Sequence, residues 1–276
     1  MYSEKSVLSG VTELRSEATW GDLVLPKNSI EGLQEFILWI TQRHQVEQWG
    51  KRITGGPAAL FAGQPGTGKT LAAEVVANSL ARPLYRLDLG LLVAKYIGET
   101  EKNLAALFSA ATNENAVLLF DEADSLFGRR SATSDAHDRY ANPEIGYLLS
   151  LVEQHRVPCI VTSNVKRALD NAFARRVQLV IDFPMPDSKA RDRLWRLYLP
   201  ESVRRDKGLD FALLGKQLAL SGGQIRNAAL LAALLATSES SPIGWRHIVK
   251  AAVREISKTE TGNPAKRLGH LRRYLA

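Results

Sequence analysis

The residues best suited to chemistry in this sequence form a glycine-rich run at positions 63–70, GQPGTGKT. The run follows a short apolar segment and precedes an amphipathic one, which is the strand-to-helix setting of a phosphate-binding loop. Its glycines let backbone N–H groups turn towards an anion where a Cβ would collide, and the N-terminus of the following helix attracts the same anion. Lys69 can reach the β- and γ-phosphates of a nucleotide, and the Thr70 hydroxyl can ligate Mg²⁺.

We therefore predict that ATP and Mg²⁺ are the cofactors of this site. The residues predicted to bind the nucleotide in this run are Gln64, Pro65, Gly66, Thr67, Gly68, Lys69 and Thr70. The alternative is a glycine-rich turn that binds no nucleotide. The combination of a preceding strand, a lysine and a threonine argues against that alternative.

Two carboxylates follow a second apolar run, in the sequence LLFDE at positions 118–122. Carboxylates at the C-terminal end of a strand match the ligand crevice of open α/β sheets. Asp121 is predicted to hold Mg²⁺, directly or through water, and Glu122 to orient and polarise the attacking water. A strand that ends in a solvated acidic turn is the alternative, and the phosphate-binding loop upstream makes it the weaker one.

The elements that must position these residues are short apolar runs that alternate with amphipathic stretches. The strand candidates are 58–62, 84–89, 116–121, 159–164 and 178–183. Strands separated by helices predict βαβ units, and continuous apolar strands predict a parallel sheet that is covered on both faces. We therefore predict an α/β fold with a parallel five-stranded P-loop NTPase sheet flanked by helices.

After position 187 the strand candidates cease, and the pattern predicts a small, all-helical domain. The predicted organisation is a partly flexible N-terminal segment at 1–28, an α/β nucleotide-binding domain at 29–186, a helical domain at 187–257 and a basic C-terminal tail at 258–276. The 276-residue chain is long enough to bury a core without disulfides or metals.

Composition limits the function classes. The single cysteine, Cys159, lies in an apolar run and is interpreted as a buried core thiol, not a nucleophile. No run approaches the ~18 apolar residues of a membrane span, and the polar start of the chain lacks the apolar core of a signal peptide, so a cytoplasmic protein without a membrane partner is expected. The net charge of +7 would permit nucleic-acid binding, but the basic C-terminal residues are interpreted as a solvated tail.

Taken together, these motifs resemble those of the AAA+ ATPases, over about residues 20–255. The resemblance implies an ATPase and makes the helical domain the AAA+ lid. It also places a polar residue, sensor 1, at the end of the strand after the acidic one, where this sequence has Asn164. Asn164 would contact the γ-phosphate or the attacking water, although the same residue type could instead cap the helix that follows.

The resemblance implies an arginine finger at Arg175 or Arg176, and adjacency alone does not rank the two. Surface ion pairing is the alternative role for both. An arginine finger is worth ~10³–10⁵ in rate and acts on the nucleotide of a neighbouring subunit. A homo-oligomeric ring, expected to be a hexamer, follows from that role.

The segment 221–228 resembles the sensor-2 motif. There Arg226 would reach the γ-phosphate and Gly223 would lie near the base, and the resemblance adds Asp22 to the nucleotide contacts. A helix N-terminus with one surface arginine is the alternative. Many AAA proteins of the protein-remodelling group lack this arginine, and the Pro-Gly usual between that group's two arginines is also missing, so the chain is placed on a side branch.

The segment 95–104, KYIGETEKNL, resembles pore loop 1 of protein-remodelling AAA motors. Tyr96 and Ile97 would line a central channel and grip extended polypeptide, because an aromatic ring offers apolar area whatever the substrate sequence. A core position for Tyr96 is the alternative, against which the polar flanks argue. The polar stretch 129–142 could form a second channel loop.

Four segments resemble the AAA+ ATPases found with phage-tail-like contractile injection systems: 20–26, 126–131, 135–142 and 172–176. The resemblance implies assembly or disassembly of a contractile apparatus as one setting. Members of that group often carry a long N-terminal region, whereas at most ~50 residues precede the ATPase core in this sequence.

Three functions are therefore carried forward. The leading one is an ATPase that threads or remodels protein. The others are a DNA-associated AAA+ loader, motivated by the basic charge, and a nucleotide-gated assembly scaffold with little turnover. The sequence shows no recognisable DNA-reading motif, and its complete set of catalytic residues argues against a scaffold.

Overall fold

The computed structural model describes residues 11–50, 53, 55–88, 100–123, 143–164, 177–259 and 264–275. The chain divides into two compact units. The first unit comprises Met1–Trp20, Pro26–Gln64 and Lys69–Phe183, and the second comprises Gly21–Leu25, Pro65–Gly68 and Pro184–Ala276.

The first unit is built on one sheet. Its strands are β1 (Val11–Leu14), β2 (Ala58–Ala62), β3 (Leu84–Asp88), β4 (Val117–Asp121), β5 (Cys159–Ser163) and β6 (Leu179–Asp182). They lie in the order β1-β3-β4-β5-β2-β6, in which β1 is antiparallel to β3 and every other pair is parallel. The prediction of an α/β fold with five parallel strands is confirmed, and β1 adds an antiparallel strand at the sheet edge that was not predicted.

The helices of the first unit come from the amphipathic stretches between the strands. They are α1 (Lys27–Thr41), α2 (Arg43–Gln48), α3 (Lys69–Ser79), α4 (Thr100–Asn113) and α5 (Pro143–Gln154). In α1 the buried residues Ser29, Leu33 and Phe36 recur at the spacing of one helix face. The Ser29 hydroxyl donates a hydrogen bond of 2.7 Å to the carbonyl of Asp182, which ties α1 to the end of β6.

The core of this unit lies on the central strands. All five residues of β2, of β4 and of β5 are buried, as expected for strands covered on both faces. Phe108 of α4 stacks on Phe120 of β4 with ring centroids 6.2 Å apart. Cys159 begins β5 with no exposed surface, and burial raises the pKa of its thiol well above the ordinary range. The interpretation of Cys159 as a core thiol is therefore confirmed.

The second unit is helical, as predicted. Its helices are α6 (Ser188–Tyr198), α7 (Phe211–Gln217), α8 (Gly222–Ser238) and α9 (Trp245–Thr259), followed by a 3₁₀ segment at Pro264–Tyr274. Side chains cap three helix N-termini, because Asp187, Asp210 and Ser221 each accept a hydrogen bond from a backbone N–H of the first turn. The core of the unit includes Trp195, which has no exposed surface.

The 3₁₀ segment differs from a solvated tail. Leu268 and Leu271 have no exposed surface and belong to the core of the second unit. Gly269, whose φ of 51° is not helical, introduces a kink between these two leucines. Arg267, Arg272 and Arg273 are exposed. The basic composition of the segment gave no indication that these two leucines are buried.

Candidate functional site

Lys69 is the first residue of α3 and is buried, with 8% of its surface exposed. Its Nζ donates hydrogen bonds to the carbonyl of Gly63 at 2.6 Å, the carbonyl of Gln64 at 3.0 Å and Oδ1 of Asn164 at 2.9 Å. A buried ammonium group needs such partners because burying an unpaired charge is costly. The lysine of the phosphate-binding loop and the predicted sensor residue are thus in direct contact.

Asn164 directly follows β5 and is half-buried. Its contact with Lys69 places its amide beside the group predicted to bind the β- and γ-phosphates. The segment 165–176, where a helix capped by Asn164 would have to begin, lies outside the described residues. The sensor-1 role therefore stays a prediction, with a position that fits it.

Asp121 ends β4 and is buried, with 9% of its surface exposed. Oδ1 of Asp121 accepts a hydrogen bond of 2.6 Å from the Thr162 hydroxyl, and Oδ2 lies 2.9 Å from Nε of Arg86. Sequence reasoning missed both partners. A charged residue inside an apolar strand was the available signal for Arg86, since such a residue needs a counter-charge.

Glu122 adopts φ 54°, in the left-handed region that non-glycine residues seldom occupy. Its backbone N–H donates to the Thr162 hydroxyl at 3.0 Å, and the N–H of Ala123 donates to the Thr162 carbonyl at 3.0 Å. These bonds hold the turn that follows β4. The chain changes direction at Glu122, and the side chain of Glu122 is exposed to solvent while Asp121 stays buried.

The turn of the phosphate-binding loop, Pro65–Gly68, belongs to the second unit. The carbonyl of Gly66 accepts a hydrogen bond of 2.8 Å from the N–H of Gly223, in the first turn of α8. Gly66 has φ 76°, and a Cβ on it would lie 2.6 Å from Oγ of Ser221. Both the backbone conformation and the close approach therefore require glycine at position 66.

Gly223 is predicted to contact the nucleotide and lies against the same turn. A Cβ on Gly223 would come within 3.2 Å of Cα of Gly66. Ser221 caps α8 through a capping box with Gln224, which fixes the start of the helix. The predicted sensor-2 segment thus lies against the turn predicted to bind phosphate.

Asp22 and Arg226 both act on Tyr198 of α6. Burial raises the pKa of the Tyr198 hydroxyl, the nearby Asp22 raises it further, and the nearby Arg226 lowers it. Asp22 and Arg226 therefore have opposite electrostatic effects on this one phenol. Arg226 is exposed, which leaves its guanidinium accessible.

Several predicted residues lie outside the described residues. They are Tyr96, Ile97, Arg175, Arg176 and the stretch 129–142. Their predicted roles stay predictions. Thr70, the second residue of α3, is half-buried.

In the part of the chain that the structure describes, no group of three or more His, Cys, Asp or Glu residues could hold a metal ion. Over the same residues, no helix is both long enough and apolar enough to cross a membrane.

Residues 59–185 match the family described as ATPase family associated with various cellular activities, AAA. The chain is 30% identical over 260 residues to the ATP-dependent zinc metalloprotease FtsH 3 of Sphaerobacter thermophilus, covering 92% of this chain and 52% of that protein. It is 30% identical over 189 residues to the uncharacterized AAA family ATPase y4kL of Sinorhizobium fredii, covering 68% of this chain and 56% of the relative. It is also 31% identical over 210 residues to vacuolar protein sorting-associated protein 4B of Mus musculus, covering 74% of this chain and 46% of that protein.

The chain thus spans about half the length of the first two of these relatives. The family match begins at the second residue of β2 and includes the phosphate-binding loop, the acidic pair Asp121 and Glu122, and Asn164. The match supports the prediction of an ATPase. Residues 59–185 of the chain are thus similar to the ATPase domain of the AAA family.

Proposed function

We propose that this protein hydrolyses ATP at the site formed by Lys69, Asp121, Glu122 and Asn164, and that it uses the energy to thread or remodel protein in a homo-oligomeric ring. One observation carries the catalytic part. Thr162 contacts both Asp121 and Glu122, and Asn164, two residues further along the same chain segment, contacts Lys69. The strand β5 therefore holds the phosphate-binding lysine and the acidic pair in one constellation.

The oxygen donors present suit Mg²⁺. Asp121 offers a buried carboxylate whose orientation Thr162 fixes, and Thr70 offers a hydroxyl at the start of α3. Mg²⁺ prefers such oxygen ligands and is usually held by one or two carboxylates together with substrate phosphates. Asp121 and Thr70 would hold the ion, which when bound offsets the charge of the phosphates.

Each of the other residues of the site has a separate role in ATP hydrolysis. Lys69 binds the β- and γ-phosphates, and Asn164 orients the γ-phosphate or the attacking water from its position beside Lys69. Glu122 accepts a hydrogen bond from that water and polarises it for in-line attack on the γ-phosphorus. Its left-handed backbone, held by Thr162, turns the carboxylate out of the sheet core towards the water.

Steady-state ATPase measurements test the catalytic proposal. Lys69→Ala removes the ammonium group that Gly63, Gln64 and Asn164 hold, so we expect no productive ATP binding and no turnover. Arg156→Gln, which alters an exposed ion pair with Glu47, is the control and should keep wild-type turnover. A wild-type protein that binds ATP with negligible turnover would favour the scaffold instead.

The ring is proposed from the chemistry of Arg175 and Arg176. One of them is assigned as the arginine finger for the nucleotide of the neighbouring protomer in a hexamer. Arg175→Ala and Arg176→Ala proteins should each be mixed with Lys69→Ala protein. Recovery of activity in only one of the two mixtures identifies the finger, and no recovery in either contradicts an arginine acting between protomers.

Protein is proposed as the substrate because the segment 95–104 resembles a pore loop and because one relative is named an ATP-dependent metalloprotease. Tyr96 and Ile97 would grip the polypeptide in the channel. Tyr96→Ala should keep ATPase activity but abolish unfolding of a test protein, whereas Tyr96→Phe should keep both. Loss of ATPase activity in Tyr96→Ala would instead place Tyr96 in the core.

A component of a contractile apparatus is the client that we propose, on the resemblance of the segments 20–26, 126–131, 135–142 and 172–176. The test is ATP-dependent disassembly of purified contracted sheath. Genes for tail sheath and tube beside the gene of this protein would support the assignment. If the protein instead binds DNA, with log affinity falling linearly against log salt concentration, the loader function replaces this one.

A further inference from the structure

Arg86 lies in the middle of β3, between the strands β1 and β4. Its Cα pairs with that of Leu119 on β4, and Asp121 lies two residues beyond Leu119, on the same face of the sheet. This diagonal register is within reach of a long side chain. Nε of Arg86 lies 2.9 Å from Oδ2 of Asp121.

The two partners differ in exposure. The side chain of Arg86 is 42% exposed and that of Asp121 is 10% exposed. Exposed ion pairs contribute little to stability, so a half-exposed arginine is a poor device for stabilising the fold alone. It is well placed for a different role, because its charge sits against the one buried carboxylate assigned to Mg²⁺.

Both oxygens of Asp121 already have a protein partner, since Thr162 donates to Oδ1 and Arg86 pairs with Oδ2. An ionised carboxylate has about four lone-pair sites, so Asp121 can still accept a hydrogen bond from metal-bound water. The net charge of Arg86 and Asp121 together is nevertheless zero. A carboxylate neutralised in this way attracts Mg²⁺ less strongly than a lone one.

We propose that Arg86 is a positioning residue that acts through Asp121: it offsets the charge of the metal-binding carboxylate, favours contact with Mg²⁺ through water, and keeps magnesium-bound ADP from being held too tightly after hydrolysis. The proposal rests on the proposed function, in which Asp121 holds Mg²⁺. Of direct and water-mediated contact it favours the second, which also suits an ion that gives up its water reluctantly.

The measurement is the gain in ADP affinity that Mg²⁺ confers, obtained as the ratio of the dissociation constants in EDTA and in excess Mg²⁺. ADP is the probe because it avoids turnover. In Arg86→Gln the cation beside Asp121 is gone, so this ratio should rise about three- to tenfold over wild type. The dissociation of magnesium-bound ADP should slow by a similar factor, while ADP affinity in EDTA stays within about twofold of wild type, since no metal is then involved.

Two variants control for other causes. Arg86→Lys keeps the charge and should retain a ratio within about twofold of wild type. Arg156→Gln removes an arginine from an exposed ion pair with Glu47 and should leave the ratio unchanged. If Arg86→Gln fails to fold, Arg86→Met, which keeps an apolar stem, takes its place. Failure of both variants to fold makes Arg86 a structural residue and overturns the proposal.

A ratio in Arg86→Gln that equals or falls below the wild-type ratio also overturns it, because Arg86 would then be inert or would strengthen the metal site. Failure of the underlying function would look different. In that case wild-type protein would bind ADP no better than Lys69→Ala protein, or would show no gain in affinity with Mg²⁺.

Discussion

The hydroxyl of Thr162 donates a hydrogen bond of 2.6 Å to Oδ1 of Asp121. The hydroxyl oxygen of Thr162 also accepts a hydrogen bond of 3.0 Å from the backbone N–H of Glu122. One buried side chain on β5 therefore orients Asp121, which is assigned to the metal, and fixes the turn that presents Glu122, which is assigned to the water. A hydroxyl can serve both partners because it is a donor and an acceptor at once.

Thr162→Val tests this role with little change in volume. It removes the donor to Oδ1 of Asp121 and the acceptor of the Glu122 N–H. The loss of a hydrogen-bond partner by a buried group such as Oδ1 of Asp121 costs about 1–3 kcal/mol. We expect ATP turnover to fall by about ten- to a hundredfold, because a loss of about 1.4–2.7 kcal/mol of transition-state stabilisation corresponds to that range. Thr162→Ser keeps the hydroxyl and should retain most of the turnover. Wild-type turnover in Thr162→Val would show that the hydroxyl does not organise the acidic pair.

Gly223→Ala tests the contact between α8 and the phosphate-binding turn. The new Cβ would lie 3.2 Å from Cα of Gly66 and would push on the turn. We expect ATP to bind about three- to tenfold more weakly, a loss of about 0.7–1.4 kcal/mol. Equilibrium titration with a fluorescent ATP analogue measures it.

Gly222→Ala is the matched control for Gly223→Ala. Its Cβ would lie 3.4 Å from the carbonyl oxygen of Gly66, at the edge of ordinary contact. Alanine also favours a helix over glycine by about 1 kcal/mol. ATP affinity should therefore be unchanged and the melting temperature equal or higher. Equal affinities in Gly222→Ala and Gly223→Ala would contradict the assigned contact.

Leu271→Ala tests whether the C-terminal segment belongs to the core of the second unit. The side chain has no exposed surface, and leucine-to-alanine changes in cores cost about 2–5 kcal/mol. Chemical denaturation should show a loss of that size. Arg272→Ala, one residue along and exposed, should stay within about 0.5 kcal/mol of wild type. Similar small losses of unfolding free energy in both variants would indicate a solvated tail and contradict the burial of Leu271.

Cys159 predicts a pH dependence of stability. Burial raises the pKa of its thiol in the folded state, so folding favours the protonated form. The contribution of the thiol to the free energy of unfolding is fully present below the ordinary thiol pKa of ~8.5. It declines as pH rises above that value, because the thiol then ionises in the unfolded chain but stays protonated in the folded protein. The free energy of unfolding should therefore fall more steeply with pH above that value in wild type than in Cys159→Ala. A thiol reagent should label Cys159 only as the protein unfolds, and rapid labelling of folded protein would contradict its burial.

The sequence predicted the features that depend on local pattern. The phosphate-binding loop has a fixed spacing, and the strand before Asp121 is a continuous apolar run, so both were identified without knowledge of the fold. The strand β1 was missed because it has four residues, lies at the sheet edge and alternates only weakly in burial. Its pairing with β3 depends on a distant part of the chain.

Arg86 and Thr162 were missed for a related reason. Their roles depend on which strands are neighbours and on the register between them, as in the pairing of Arg86 with Leu119. No local spacing encodes that register. Once β3, β4 and β5 are known to be adjacent, both residues are found at once as the partners of Asp121.

The most direct test of the central claim is single-turnover hydrolysis and equilibrium binding of ATP by Glu122→Gln. The substitution keeps the shape of the side chain but removes the carboxylate that polarises water, so the protein should bind ATP as tightly as wild type and hydrolyse it about 10²- to 10⁴-fold more slowly. Turnover at the wild-type rate would contradict the assignment of Glu122 and, with it, the catalytic site described above.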